Sequence, residues 1–378
     1  LDQLLEVTEG ALDGFAQKRF AGVAVELSQE IRGSGVPGNA VRALLLGIGA
    51  NARGRIDLVD VATVAGQVID EESSTENGRR DQGFAAHLFR QRGDAASERD
   101  GWRRIYRVDG GNRLSALSEP EVDVIELVAV DAASGWVYYL ASPDDPGQRA
   151  LFRARLDAAE SPVVERITPT DQPGTHAYQV APGGGWALHT WSRFDQPPVV
   201  AVVALPDHTV AATLVDNAGL ARQVADLPGS HEFFRVRLDE STELDGWAMV
   251  PADFDEERSY PVLFFVYGEP AGQTVRDVWQ GRRGMWHRYL TTLGYVVMSV
   301  DNRGTPAPRG RDWRKIVYGD VGTLAAADQA AAVRALAAQR PWMDLSRIAI
   351  WGWSGGGSMT LNAMFRYPDL YQTGMSVA

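Results

Sequence analysis

A region of short β-strands followed by a region in which buried strands alternate with helices is the architecture predicted by this 378-residue sequence. Three observations carry it. Between residues 98 and 205, β-rich runs recur with turn-forming residues between them. After Gly229, continuous apolar runs alternate with helical stretches. Toward the C-terminal end an apolar run enters Gly352-Trp353-Ser354-Gly355-Gly356, and a helical pattern leaves it. The first pattern belongs to all-β folds; the second belongs to a mostly parallel sheet whose faces are both covered.

In chain order, residues 1 to 96 form a segment without a chemical motif that could belong to the β-region. Leu1, Leu4, Leu5 and Leu12 suggest a helix face, residues 41 to 46 are apolar, and residues 55 to 68 read as strand, turn, strand. Residues 71 to 96 are polar and read as a loop or a disordered stretch. From 97 to 230, strands are expected at Trp102–Val108, Val124–Val130, Trp136–Ala141, Ala150–Leu156, Val163–Ile167, Ala177–Val180, Trp186–Trp191 and Val199–Leu205. Such spacing fits a sandwich or a β-propeller, and a repeat of roughly 40 to 50 residues with four strands each favours propeller blades. About three blades fit, too few to close a ring.

From 231 to 378 a hairpin over Phe233–Leu238 and Gly246–Val250 comes first. The apolar strand Pro261–Tyr267, a helix near Val278–Leu293, the strand Tyr295–Val300 and an alanine-rich helix Thr323–Gln339 follow. The apolar run Ile348–Trp351 then leads through the glycine-serine turn into a helix at Met359–Met364, and residues 373 to 378 read as one more strand.

The turn itself fits G-x-S-x-G with a strand before it and a helix after it, which is the context of a nucleophile elbow. A serine held there occupies a strained conformation, and a Cβ two positions away on either side would collide with neighbouring backbone. Ser354 would present its hydroxyl at the helix N-terminus beside the Gly355 N–H, one half of an oxyanion hole. The fold class is therefore an α/β-hydrolase domain, partial and with a mostly parallel sheet, preceded by a partial β-propeller-like all-β domain.

Composition removes other classes. A formal charge of −12 offers no basic stripe for nucleic acid. The absence of cysteine rules out a disulfide framework and thiolate metal sites. No histidine pair has zincin spacing, and Gly183-Gly184-Gly185 reads as a turn between strands, not a phosphate loop; no cofactor or metal is expected. No apolar run approaches the length that crosses a bilayer. The chain starts at Leu1 with no basic-then-apolar leader, and its natural start is expected upstream.

Ile350 to Gly357, the Asp301-Asn302-Arg303-Gly304-Thr305 stretch, residues 309 to 314, residues 318 to 320 and the helix carrying Asp328 and Gln329 together resemble the prolyl oligopeptidase family of serine peptidases, on its dipeptidyl peptidase IV branch. Residues 97 to 102, 135 to 139 and Tyr267-Gly268-Glu269-Pro270 also resemble that branch. The resemblance implies a propeller covering the hydrolase domain, a serine peptidase site in the cavity between them, short peptides as substrates, and a homodimer as an allowed assembly. It makes Ser354 the nucleophile and Tyr267 the second oxyanion donor beside the Gly355 N–H. Gly352, Trp353 and Gly356 support the elbow, with Trp353 packed beneath it. Asp301 and Arg303 brace the site, with a surface ion pair between them as the competing reading. Asp328 is expected to be a structural carboxylate.

Three departures from the family stand out. Gly355 occupies a position where the branch often has tyrosine, so an aromatic wall of the pocket is lost. The paired glutamates that hold a peptide's free N-terminus have no match, since Glu71-Glu72 lies in unrelated surroundings and reads as a solvated loop. The triad order of the fold is Ser, then acid, then His, yet His87, His176, His189, His208, His231 and His287 all precede Ser354. The expectation is a fragment that lacks the triad Asp and His and is inactive alone. The leading reading is a serine peptidase cleaving short peptides after proline or alanine through an acyl-enzyme on Ser354. An esterase or acylaminoacyl hydrolase on the same fold and a non-catalytic peptide-binding propeller module are the rivals.

Overall fold

A computed structural model describes residues 94–108, 113–158 and 161–377. The readings made for residues 1 to 93, including the leucine face, the strand pair over 55 to 68, Glu71-Glu72 and His87, lie outside the described residues.

The β-rich part contains three antiparallel sheets in chain order. The first holds β1 (Asp94–Ser97), β2 (Arg104–Val108) and β3 (Leu114–Ala116). The second holds β4 (Val124–Asp131), β5 (Trp136–Ala141), β6 (Ala150–Arg155) and β7 (Val164–Arg166), each paired with the next. Strand β5 is flanked on both sides, and Val137 to Ala141 are all buried. Its Val137, Tyr139 and Ala141 join Phe152, Ala154, Ile105 and Leu117 in one apolar core, with Tyr139 stacked on Phe152 at 5.9 Å. The β4–β5 turn is closed by the Asp131 side chain, which accepts from the Ala133 and Ser134 amides, and by Gly135 at φ 78°.

The third sheet holds β8 (Thr175–Val180), β9 (Trp186–Ser192), β10 (Val199–Ala204) and β11 (Thr209–Val215) in the order β11-β10-β9-β8. The described residues divide into two compact units, one of which comprises residues 178–189 and 200–215. Inside it Tyr178 stacks on His189 at 4.6 Å, and its hydroxyl and His208 Nε2 are 2.8 Å apart. All other described residues belong to the second unit.

That unit contains helix α1 (Ala218–Ala225) and a six-stranded mixed sheet. Strands β12 (Ser230–Arg237), β13 (Glu243–Val250), β14 (Tyr260–Phe265), β15 (Val296–Val300), β16 (Met343–Trp353) and β17 (Thr373–Val377) run in the order β12-β13-β15-β14-β16-β17. The β12/β13 and β13/β15 pairs are antiparallel; the remaining pairs are parallel. All five residues of β15 are buried, as its unbroken apolar run requires. Alternation sorts them by face. Val296, Met298 and Val300 join a core that includes α4 (Val321–Gln339) and α5 (Gly355–Arg366). Val297 belongs to a second core with Phe265, Trp351 and α2 (Gly281–Thr292). A one-turn helix, α3 (Gly310–Lys315), precedes α4.

The expected strands appear with shifted ends, the largest shift being β16, which begins at Met343, five residues before the expected Ile348. The elements β1, β3, β11, α1 and α3 were not anticipated.

The second core encloses His287, with ring centroids of Trp247, Phe265, Trp286 and Trp351 at 5.4–5.5 Å. The ring is fully buried, and neither nitrogen finds a hydrogen-bond partner among the described residues. Burial, reinforced by the Arg283 guanidinium, pushes its pKa down from 6.5 to about 3. Because the folded value is depressed, the unfolded chain takes up the proton first, so stability is full above pH 6.5 and falls between there and pH 3. His287→Phe is expected to remove about 2 kcal/mol of the stability difference between pH 7 and pH 5, measured by urea unfolding at both pH values. An unchanged difference would show that the ring is not held neutral.

Candidate active site

The site begins where β16 hands over to α5. Ser354 sits at the junction with φ 56° and ψ −119°, a conformation that costs a non-glycine residue on the order of 1–3 kcal/mol. Backbone bonds hold it there. The Ser354 amide donates to the Val377 carbonyl at 2.7 Å, and the Ser354 carbonyl accepts from the Gly357 and Ser358 amides at 2.8 and 3.1 Å. The flanking glycines are required by close approach. A Cβ on Gly352 would run into the Gly356 backbone and the Val266 carbonyl, and one on Gly356 would strike the same carbonyl and come within 3.3 Å of Tyr267 Cα. The elbow thus presses against the loop after β14, which carries Tyr267, while Ser354 itself is exposed.

The half-buried Tyr267 ring lies between two bare backbones. A Cβ on Gly272 would sit 2.6 Å from its Cδ1, and one on Gly355 would sit 3.2 Å from its Cζ, so the hydroxyl end of the ring is directed at the residue after the serine. That hydroxyl has no hydrogen-bond partner among the described residues. The ring thus ends against Gly355, the first residue of α5, where N–H groups are unclaimed by the helix. The helix N-terminus and the phenol together suit a developing oxyanion.

Buried polar side chains hold this loop. Asp301, at the end of β15, is 2% exposed and accepts from the Thr274 amide (2.9 Å), the Thr274 hydroxyl (2.8 Å) and the Val275 amide (3.0 Å). Burial pushes its pKa up to about 6, against those three hydrogen bonds. Asn302 Nδ2 donates to the Gly268 carbonyl at 3.0 Å, and Gln329 Nε2 donates to Asn302 Oδ1 at 3.0 Å and to the Val300 carbonyl at 2.7 Å. Ser299 Oγ donates to the Phe265 carbonyl at 2.7 Å. Sequence reasoning had assigned no role to Ser299, Asn302, Thr274 or Gln329. Asn302 and Gln329 were visible only as members of matching motifs.

Two expectations are corrected. Asp301 and Arg303 do not form a surface ion pair with each other. Asp301 turns inward to residues 274 and 275, whereas Arg303 donates from its amide, Nε and Nη2 to Asp328 at 3.1, 3.0 and 2.7 Å. Asp328 lies on α4 and is buried. Trp353 does not pack beneath the elbow; it is 62% exposed. The register explains this, because β14 ends with Phe265 opposite Trp351, and Trp353 has only β17 beside it. Trp351 takes the inner position, 4.7 Å from Trp286.

No described histidine is placed as a base for Ser354. His176 bonds the Gln172 carbonyl, His189 and His208 pack with Tyr178, His231 stacks on Phe194, and His287 is caged. Among the described residues no group of three or more His, Asp or Glu side chains is arranged to hold a metal, and no helix is long and apolar enough to cross a membrane.

Comparison with known proteins identifies the family. Residues 284–378 match the model of the prolyl oligopeptidase family, and residues 53–198 match that of the dipeptidyl peptidase IV (DPP IV) N-terminal region. The probable dipeptidyl-aminopeptidase B of Emericella nidulans is 34% identical over 271 residues, covering 69% of this chain and 28% of that protein. Its counterpart in Coccidioides posadasii is 31% identical over 342 residues, 85% of this chain and 36% of that protein. The chain therefore spans about a third of the length of these curated relatives. The crystal structure of Porphyromonas gingivalis dipeptidyl peptidase 4 superposes with a TM-score of 0.67 at 33% identity, over 74% of this chain and 38% of that one. A putative dipeptidyl aminopeptidase IV from Bacteroides ovatus gives 0.64 at 25% identity, over 74% of this chain and 41% of that one.

Proposed function

Since the chain belongs to the prolyl oligopeptidase family, on its dipeptidyl peptidase IV branch, we propose that it forms part of a serine peptidase that hydrolyses short peptides through an acyl-enzyme on Ser354. Release of dipeptides is the reading its relatives' names support, and cleavage after proline or alanine is the preference that goes with it. Residues 97–230 are assigned to the propeller-like domain and residues 231–378 to the hydrolase domain. The observation that carries the proposal is Ser354 at positive φ, followed by a Gly355 that packs against the hydroxyl end of the Tyr267 ring.

Ser354 Oγ attacks the peptide carbonyl, and the carbonyl π pair moves to oxygen, where the Gly355 N–H and Tyr267 O–H receive it. The serine proton passes to a base and then to the leaving amine as the C–N bond breaks; water repeats the sequence in reverse to free the acid. The described histidines are all held elsewhere, so that base is assigned to a group outside the described residues. Asp301, bonded to Thr274 and Val275, and the Arg303–Asp328 pair brace the loops beside the site and have no part in this proton transfer.

Chromogenic Xaa-Pro and Xaa-Ala dipeptide anilides and short esters, offered to the full-length protein, test the proposal. Anilide turnover exceeding ester turnover is expected. Ester-only turnover would favour an acyl-ester hydrolase, and no turnover of either would favour a peptide-binding module.

A further inference from the structure

One carboxylate beside Ser354 has no part in that scheme. Glu269 follows Tyr267 by two residues, is half-buried, and makes no side-chain hydrogen bond or ion pair with any described residue. It lies directly against Gly355. A Cβ built on Gly355 would collide with Glu269 Oε2 and sit 2.7 Å from its carboxyl carbon, with Tyr267 Cζ at 3.2 Å. The space that a side chain at position 355 would fill is therefore taken by a negative charge.

The location fixes what this charge meets. With the Gly355 N–H holding the carbonyl oxygen at about 3 Å, the residue contributing that carbonyl lies within one residue's span of Gly355 and of the carboxylate packed on it. An uncharged side chain long enough to cover the Glu269 carboxylate would strip water from it and leave its charge without a partner, which is unfavourable. A lysine or arginine would supply the missing cation through a charge-assisted hydrogen bond.

We propose that Glu269 is a specificity-determining residue that favours lysine or arginine, over uncharged residues of the same length, at the position whose carbonyl Ser354 attacks. This inference rests on Ser354 being the nucleophile. Bare backbone at Gly355 is what admits the Glu269 carboxylate to that place.

The test compares Ala-Lys, Ala-Arg and Ala-norleucine p-nitroanilides on the full-length protein and on its Glu269→Gln and Glu269→Asp variants. Reaction of Ser354 with a fluorophosphonate is followed in each protein. The expected result is a kcat/KM ratio of lysine to norleucine of about 10 to 100 in the parent, as a charge-assisted bond provides. The ratio should fall to within about threefold of unity in E269Q and be largely retained in E269D. A parent ratio near one, or a ratio unchanged in a labelled E269Q protein, overturns the proposal while leaving the peptidase reading intact. Absence of Ser354 labelling in the parent overturns the nucleophile assignment and this inference with it.

Discussion

Tyr267→Phe is expected to lower kcat for peptide hydrolysis by about 10²–10³-fold while leaving KM within about threefold. The phenol is pinned by Gly272 on one side and Gly355 on the other, and its hydroxyl has no described partner in the resting protein. Deleting that oxygen removes little from the folded state, and thermal unfolding should be unaltered. The loss should fall where an oxyanion exists, in the transition states for forming and breaking the acyl-enzyme. Steady-state kinetics on the full-length protein check it. A variant with near-parental kcat would show that the phenol is a packing group.

Asp123→Ala is expected to destabilise the fold by about 3–5 kcal/mol, measured by urea unfolding. Asp123 precedes β4, is 2% exposed, and receives both terminal nitrogens of the buried Arg314 on α3. It also receives the Gly310 amide at 2.6 Å and the Arg103 amide at 2.8 Å. Glu98 completes the cluster, with Arg314 Nη2 at 2.8 Å and Lys315 Nζ at 3.0 Å. Removing the aspartate leaves two backbone donors and one arm of a buried guanidinium without their acceptor, with only Glu98 still holding Arg314, which is far costlier than losing a surface pair. This carboxylate fastens the β-rich segment to the α/β segment within one compact unit. A loss below about 1 kcal/mol would mean that water replaces it.

The elbow was legible because each of its parts answers a steric demand that leaves a trace in residue type. Glycine is required at 352 and 356 because the Val266 carbonyl and the residue 356 backbone leave no room for a Cβ. The buried strands β14 and β15 were legible because a strand covered on both faces needs an unbroken apolar run. The elements that escaped notice lack such traces. Strand β3 has three residues, β11 is largely exposed, and α3 is one turn built mostly from charged side chains.

Trp353 was misjudged for a related reason. A strand's sequence says which face a residue shares, not where the neighbouring strand stops, and β14 stops opposite Trp351. The Arg303–Asp328 and Asp301–Thr274 contacts join residues more than 20 positions apart, and Glu269 acquires meaning only when a residue 86 positions later is brought against it. Such pairings come from topology, which no local pattern records.

The central claim is that Ser354 is a nucleophile presented at a strained turn with donors already in place. Treating the full-length protein with a fluorophosphonate and mapping the adduct by peptide mass spectrometry tests it most directly. The account predicts a single adduct on Ser354, absent from Ser354→Ala and formed more slowly in Tyr267→Phe. An adduct on another serine, or an unmodified Ser354 in a protein that still hydrolyses peptides, would contradict it.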